Sequence, residues 1–397
     1  MDIVHRAGGV LPEFQNGLIR VSEHESAVPS APAHREIPLY IPDMPKVAEL
    51  LPWLEKIDEN RWYTNFGPLN RLFEEAVRRH FPPAPAVHVT TVANGTLGLE
   101  LALAALDLPP RAPILIPAFT FVATATAAVR AGLTPVLADF DPASWLLTPE
   151  IARAALEHIP IRAVMPVTTF GCPQPASAWD EFSAETGIPV IVDAAGAWDS
   201  QPIGETTAAV FSLHATKNLS TGEGGIVAGA DPGFIERVRN ASNFGLAAGE
   251  VRHIGTNAKL SEYHAAVGLA VLARWQRRKA EKYQLLRAYR ERLDKLRHPP
   301  VYQRDMEQTV PSLLAVRMPE QADVAALAGQ LREQGIHTRQ WYYPPLHRHP
   351  AFAALPRAGS LSVTHEIAGQ ILGLPFHTGI TPADMDYVCF WLDRLRP

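Results

Sequence analysis

Through the middle of the chain, short apolar runs alternate with stretches of helical periodicity. Between about 85 and 230 the runs "AVHVTTV", "PILIP", "TPVLAD", "IRAVMPV", "IPVIVD", "AAVFSL" and "GIVAG" are separated mostly by segments such as "LGLELALAAL" and "TPEIARAALEH". Runs rich in β-branched residues, alternating with helices, predict an α/β fold: a mostly parallel seven-stranded sheet covered by helices on both faces. Ligands of such sheets bind at the carboxyl ends of the strands.

On either side the pattern changes. Residues 1–36 lack periodicity and are rich in Pro, Ser and Ala, which predicts an extended N-terminal arm. "MPKVAELLPWLEKIDE" and "PLNRLFEEAVRRHF" carry apolar positions at three- and four-residue spacing and flank the loop "NRWYTNFGP" (60–68), so two amphipathic helices are expected there. A long helical region from about 260 to 297 leads into a smaller α+β unit, with a strand in "VPSLLAVRM" and helices in "ADVAALAGQLREQG" and "PADMDYVCFWLDRL". The expected division is an arm (1–36), a large domain (37–280) and a small C-terminal domain (281–397).

Composition narrows the chemistry. The 397 residues are 47% apolar and 19% charged, an ordinary globular balance. The formal charge is −5, with 36 Lys and Arg scattered among 41 Asp and Glu, so nucleic acid is not an expected partner. Two cysteines, Cys172 and Cys389, stand far apart without metal-ligand neighbours, which argues against a disulfide framework or a zinc site and for a reducing, cytoplasmic setting. The longest uncharged run, 112–129, contains two prolines and three threonines and reads as strand, loop and helix start, so no membrane segment is expected.

Four positions at strand ends or helix starts carry candidate chemistry. Gly95 and Thr96 in "ANGTLGLELALAAL" open a helix whose free N–H groups suit a phosphate, although an ordinary helix cap reads the same way. Asp193 closes "IPVIVD", where a carboxylate can hold a protonated ring nitrogen or simply cap a turn. Lys217 follows "AVFSLHAT" into a turn rich in glycine and acid. Partial burial at such a strand end would favour the neutral amine that forms a Schiff base, whereas most lysines are solvated. Phe121 in "PAFTFVATATA" follows a strand end and could cover a planar ring or fill core. A phosphate site, a ring cover, a carboxylate and an amine are together what proteins contribute to pyridoxal phosphate chemistry.

The ordered set "NGT", "PAFTFVATA", "VDAA", "SLHATKNLSTGEGG" and "NAKLSEYHAAVGL" resembles the DegT/DnrJ/EryC1/StrS family of sugar aminotransferases over about 40–397. The resemblance implies a pyridoxal phosphate fold type I, like aspartate aminotransferase. It implies that Lys217 bonds the cofactor and shuttles the proton, that Asp193 pairs with its ring nitrogen and that Phe121 stacks on the ring. Gly95, Thr96 and Ser212 would bind the phosphate, joined by Asn257 from a neighbouring subunit, so the implied unit is a homodimer with shared active sites. The implied substrate is a nucleotide-linked keto-deoxysugar, aminated at C4 of a dTDP-4-keto-6-deoxyhexose, with L-glutamate as donor. Other readings are a cyclitol or other cyclic ketone as acceptor, or a non-catalytic pyridoxal phosphate-binding regulator. His347 and Tyr342 in "RQWYYPPLHRHPAF" resemble a family element near the substrate, and no metal is expected. One departure stands out: Gly196 occupies the position, three residues after the aspartate, where relatives commonly carry Gln or His.

Overall fold

The computed structural model describes residues 36–395, and the arm expected over 1–36 lies almost wholly outside them. Each of the seven apolar runs contributes a strand: β1 (His88–Val92), β2 (Pro113–Pro117), β3 (Thr134–Ala138), β4 (Ala163–Val164), β5 (Ile191–Asp193), β6 (Ala208–Ser212) and β7 (Gly225–Gly229). They form two hydrogen-bonded ladders, β1-β7-β6-β5 and β4-β2-β3, the second extended at its edge by a strand from the C-terminal part of the chain. Isolated parallel bridges, Val164 to Val190 and Val167 to Asp193, join the ladders into one surface. The run "IRAVMPV" yields only the two residues of β4 because Pro166 interrupts it, having no N–H to donate.

The β2–β3, β2–β4 and β5–β6 pairs are parallel, while β7 runs antiparallel to both β1 and β6. That reversal goes with the return of residues 213–224 between β6 and β7, which forms turns and no helix, whereas a parallel partner needs a crossover that is usually helical. The sheet is therefore mostly parallel, as its apolar runs suggest, with one reversed strand beside the Lys217 turn.

Helices pack on the sheet in chain order: α1 (Val47–Asn60), α2 (Pro68–Arg78), α3 (Gly95–Ala104), α4 (Val122–Arg130), α5 (Pro149–Leu156), α6 (Ala176–Thr186) and α7 (Pro232–Ser242). α3 is apolar on nearly all sides and buries Leu99, Leu101, Ala102 and Leu103. Its close seat needs Gly98, where a β-carbon would lie 2.8 Å from Val210 Cγ1 of β6. A small hairpin, β8 (Leu246–Ala247) with β9 (Glu250–Val251), projects before α8 (Glu262–Leu293).

α8 is 32 residues long and changes core along its length. Ala265, Ala266, Leu269, Val271 and Trp275 pack in the main core, whereas Leu286, Tyr289 and Leu293 enter a separate one. That second core is filled by β10 (Leu314–Arg317), α9 (Val324–Glu333), β12 (Ile371–Leu374) and α11 (Pro382–Arg394), with β10 antiparallel to β12. Between α9 and β12 the chain returns to the large sheet, where β11 (Arg357–Ala358) adds a parallel edge to β3 before α10 (Ser362–Ile367). Sequence patterning locates β10, α9 and α11 but misses β8, β9, β11 and β12, which are too short or too continuously apolar to show a period.

Candidate active site

The site lies where β5, β6 and α3 end or begin. β5 ends on Asp193, which is 4% exposed. Its backbone is fixed from both sides: its N–H donates to Pro166 O at 2.9 Å, and its carbonyl accepts from Thr168 N at 2.9 Å. The carboxylate Oδ2 accepts from Thr124 Oγ1 at 2.8 Å, and Oδ1 accepts from Ala195 N at 3.2 Å. Burial raises the Asp193 pKa above its ordinary 3.8, opposed by the Thr124 and Ala195 donors and by the charge of Lys217.

β6 ends on Ser212, and the chain then folds into the tight return that carries Lys217. Leu213 N donates to Gly224 O, Ala215 N to Gly222 O and Lys217 N to His214 O. Gly222 has φ +87°, which closes the return in a conformation that a side chain would strain. Next to the lysine, Asn218 Nδ2 donates to Val310 O at 2.8 Å, tying this loop to the segment before β10. Lys217 itself is partly buried. Desolvation pushes its pKa below 10.5, opposed by the charge of the Asp193 carboxylate, so burial favours the neutral amine.

α3 opens at the same place. Asn94 caps it, its Oδ1 accepting from Leu97 N at 2.8 Å, and its carbonyl takes the Gly98 N–H. The N–H groups of Gly95 and Thr96 are then the unused donors of the first turn. A β-carbon at Gly95 would meet Ser212 Cβ at 2.9 Å and Ser212 Oγ at 3.3 Å, so the helix start and the Ser212 hydroxyl meet at one corner. Gly95, Thr96, Ser212, Asp193 and Lys217 are thus brought together.

The remaining candidates are placed differently. Phe121 is the residue before α4, 54% exposed, at the end of the turn that follows β2. Tyr342 stacks in parallel on Phe170 with ring centroids 5.2 Å apart and meets Phe119 edge-on at 5.4 Å. Burial raises its phenol pKa, and the Asp193 carboxylate raises it further, which places the ring on the Asp193 side of the site. His347 is buried instead: its Nε2 faces His365 Nε2 at 2.9 Å, and burial with the surrounding cations lowers its pKa to about 4. Asn257 is exposed in the segment after the β8–β9 hairpin, its Oδ1 accepting from Lys259 Nζ at 2.7 Å. Gly196 faces Gly171, with 3.6 Å between its would-be β-carbon and the Gly171 nitrogen, so a β-carbon fits there at ordinary van der Waals contact.

Two site residues escape sequence reasoning. Thr124 and Thr120 stand four residues apart in "PAFTFVATATA", with their hydroxyls 2.8 Å from each other and Thr124 bonded to Asp193. The four-residue spacing is visible, but its partner lies 69 positions away.

An anion corner, a buried carboxylate and a desolvated lysine at the carboxyl edge of such a sheet define the class of pyridoxal phosphate-dependent aminotransferases. Comparison with known proteins agrees. The model of the DegT/DnrJ/EryC1/StrS aminotransferase family matches residues 46–393. The chain is 36% identical to Protein Rv3402c of Mycobacterium tuberculosis, over 88% of each chain. It is 28% identical to the dTDP-4-amino-4,6-dideoxy-D-glucose transaminase of Shigella dysenteriae, over 91% of this chain and all of that one. Among solved structures it is similar to DesI, crystallised in the presence of its TDP-sugar product, with 31% identity, a TM-score of 0.81 and coverage of 91% and 94%. The chain belongs to the DegT/DnrJ/EryC1/StrS family and is a pyridoxal phosphate-dependent aminotransferase.

Proposed function

We propose that this aminotransferase moves an amino group from L-glutamate to a nucleotide-linked keto-deoxysugar, at C4 of a dTDP-4-keto-6-deoxyhexose. The supporting observation is the pairing of a desolvated Lys217 with a buried Asp193 beside the Gly95–Ser212 corner. The sugar assignment is supported by the Shigella transaminase and by DesI with its TDP-sugar product.

The residues fit the cofactor. Gly95 has no side chain in a cradle that a β-carbon would fill, so the first N–H groups of α3 and the hydroxyls of Thr96 and Ser212 can take a phosphate. Asp193 would supply a buried negative charge for a protonated ring nitrogen, and the exposed Phe121 would cover the ring. When bound, pyridoxal phosphate supplies the electron-withdrawing ring that lets a proton leave the carbon bearing the amine. Lys217 Nζ would be the group that takes that proton and returns it to the carbon on the other side of the nitrogen, and desolvation, which lowers its pKa, favours the neutral amine that such a base requires. Asp193 holds its proton partner in place by charge, and Tyr342 and the surrounding aromatic rings wall the site against water.

A second copy of the chain supports the site in this reading. Around Asn257, Phe244, Val251 and Ile254 are exposed, Ile254 completely. Apolar side chains presented together in this way fit burial against a partner, which would carry Asn257 to the neighbour's phosphate corner.

The test is incubation of the holo-protein with L-glutamate and dTDP-4-keto-6-deoxyglucose, scoring 2-oxoglutarate and the amino-sugar nucleotide. Keto-cyclitols and the free keto-sugar serve as competing acceptors. Turnover of a cyclitol in preference to the nucleotide sugar would overturn the substrate assignment. A cofactor band that does not respond to glutamate would overturn transamination from that donor.

A further inference from the structure

We propose that Thr124, backed by Thr120, is a positioning residue that holds the Asp193 carboxylate ionised and in a fixed orientation toward the ring nitrogen of the cofactor. The proposal rests on the reading of Asp193 given above and adds two residues to it.

A hydroxyl carries one proton and can accept through its lone pairs. The Thr124 proton goes to Asp193 Oδ2 at 2.8 Å, so in the 2.8 Å contact between the two threonine hydroxyls the donor must be Thr120. The order Thr120 to Thr124 to Asp193 therefore has one direction while the carboxylate is charged. A Thr124 hydroxyl that is itself receiving a hydrogen bond is a stronger donor than an isolated one.

Burial explains why such a relay is needed. Thr124 is 0% exposed, Thr120 3% and Asp193 4%, so water does not solvate the carboxylate from this side. An unassisted carboxyl in that place tends to keep its proton, and a neutral acid has no charge to offer a protonated ring nitrogen. The relay shifts the balance toward the charged form. Oδ2 is committed to Thr124 and Oδ1 to Ala195 N, which sets the plane of the carboxylate as well as its charge. The two threonines reach the site from opposite sides of the α4 N-cap, Thr120 just before Phe121 and Thr124 in the first turn. The same helix start therefore carries both the ring cover and the support for the aspartate.

The experiment uses purified holo-protein and two readouts: the pH titration of the visible band of the bound cofactor, and the rate at which L-glutamate bleaches that band. Thr124→Val keeps the shape and removes the donor. It is expected to slow bleaching about tenfold or more, the scale of losing a hydrogen bond to a charged group, and to displace the titration. Thr124→Ser, which keeps the hydroxyl, is expected to stay within about threefold of the parent. Thr120→Val, which leaves Thr124 in place, is expected to give a smaller loss with the same sign of displacement, and it carries the test if Thr124→Val does not fold. In an Asp193→Asn background, Thr124→Val is expected to add nothing, because the residue acts only through the carboxylate. A parent-like rate and titration in Thr124→Val, equal damage in Thr124→Ser and Thr124→Val, or losses that multiply in the double variant would each overturn the relay. If Asp193→Asn itself leaves band and rate unchanged, the role of Asp193 fails and the relay with it. If Asp193→Asn is impaired and both threonine variants are not, the relay alone fails.

Discussion

A β-carbon added to Gly95 would stand 2.9 Å from Cβ of Ser212. The first residue of α3 and the last of β6 therefore touch almost backbone to backbone, and the corner between them is shaped by the absence of a side chain. Gly95→Ala forces one of the two elements to move, an overpacking cost of about 1–3 kcal/mol. The expected outcome is a folded protein with a lowered Tm and at least tenfold weaker pyridoxal phosphate affinity, measured by equilibrium dialysis. Undiminished affinity would move the phosphate elsewhere.

Lys217→Ala is expected to abolish transamination while leaving secondary structure intact, because the side chain is partly buried but its loop is held by backbone hydrogen bonds and by Asn218. Borohydride treatment of the parent holo-protein and peptide mapping should place the label on residue 217. A label on another lysine would refute the assignment.

The Lys217 pKa lies below 10.5 because the amine is desolvated, and the Asp193 charge pulls it partly back up. Only the neutral amine attacks an aldehyde, so the rate at which apo-protein takes up pyridoxal phosphate should rise with pH and level off below 10.5. Asp193→Asn removes the opposing charge, which lowers the lysine pKa further. The midpoint of the uptake profile should therefore move to lower pH. Stopped-flow absorbance across a pH series measures it, and a shift to higher pH would contradict the pairing of the two residues.

Glu262 is 1% exposed at the start of α8, and its two oxygens accept from Leu69 N at 2.7 Å and Asn70 N at 2.9 Å. It satisfies the N-terminal donors of α2, which has no side-chain cap of its own. Glu262→Ala leaves those buried donors unpaired and is expected to cost about 2–3 kcal/mol, read as a lower midpoint in urea unfolding.

Mixing two impaired variants tests the proposed dimer with a shared site. The Lys217→Ala and Asn257→Ala variants are each expected to be impaired, the first fully. Hybrids formed by co-expression should regain activity in the one site built from the intact Lys217 of one chain and the intact Asn257 of the other. No recovery in isolated hybrids would argue that Asn257 serves its own chain.

Much of this site is legible in the sequence because its parts sit at ends of elements. Asp193 closes an apolar run, Gly95 opens a helical one, and Lys217 lies in the glycine-rich return, so each is placed by local pattern. What escapes is decided by distant partners. Thr124 is assigned by Asp193, and the stacking of Tyr342 on Phe170 joins residues 172 positions apart in chain order, a meeting no period announces. The contact of His347 with His365, 18 positions on, is likewise invisible in its motif. The reversal of β7 goes with a return that holds no crossover helix, and no apolar period announces it.

The short strand β11 has a consequence for how the molecule is made. Leu137 N donates to Pro356 O at 2.9 Å, and residues 357–358 close the outer rim of β3. A ribosome has emitted nine-tenths of the polypeptide before that rim can be covered, so the nascent sheet carries an open template for strand addition during most of its synthesis. Chains that terminate early, short of residue 357, are the ones expected to clump.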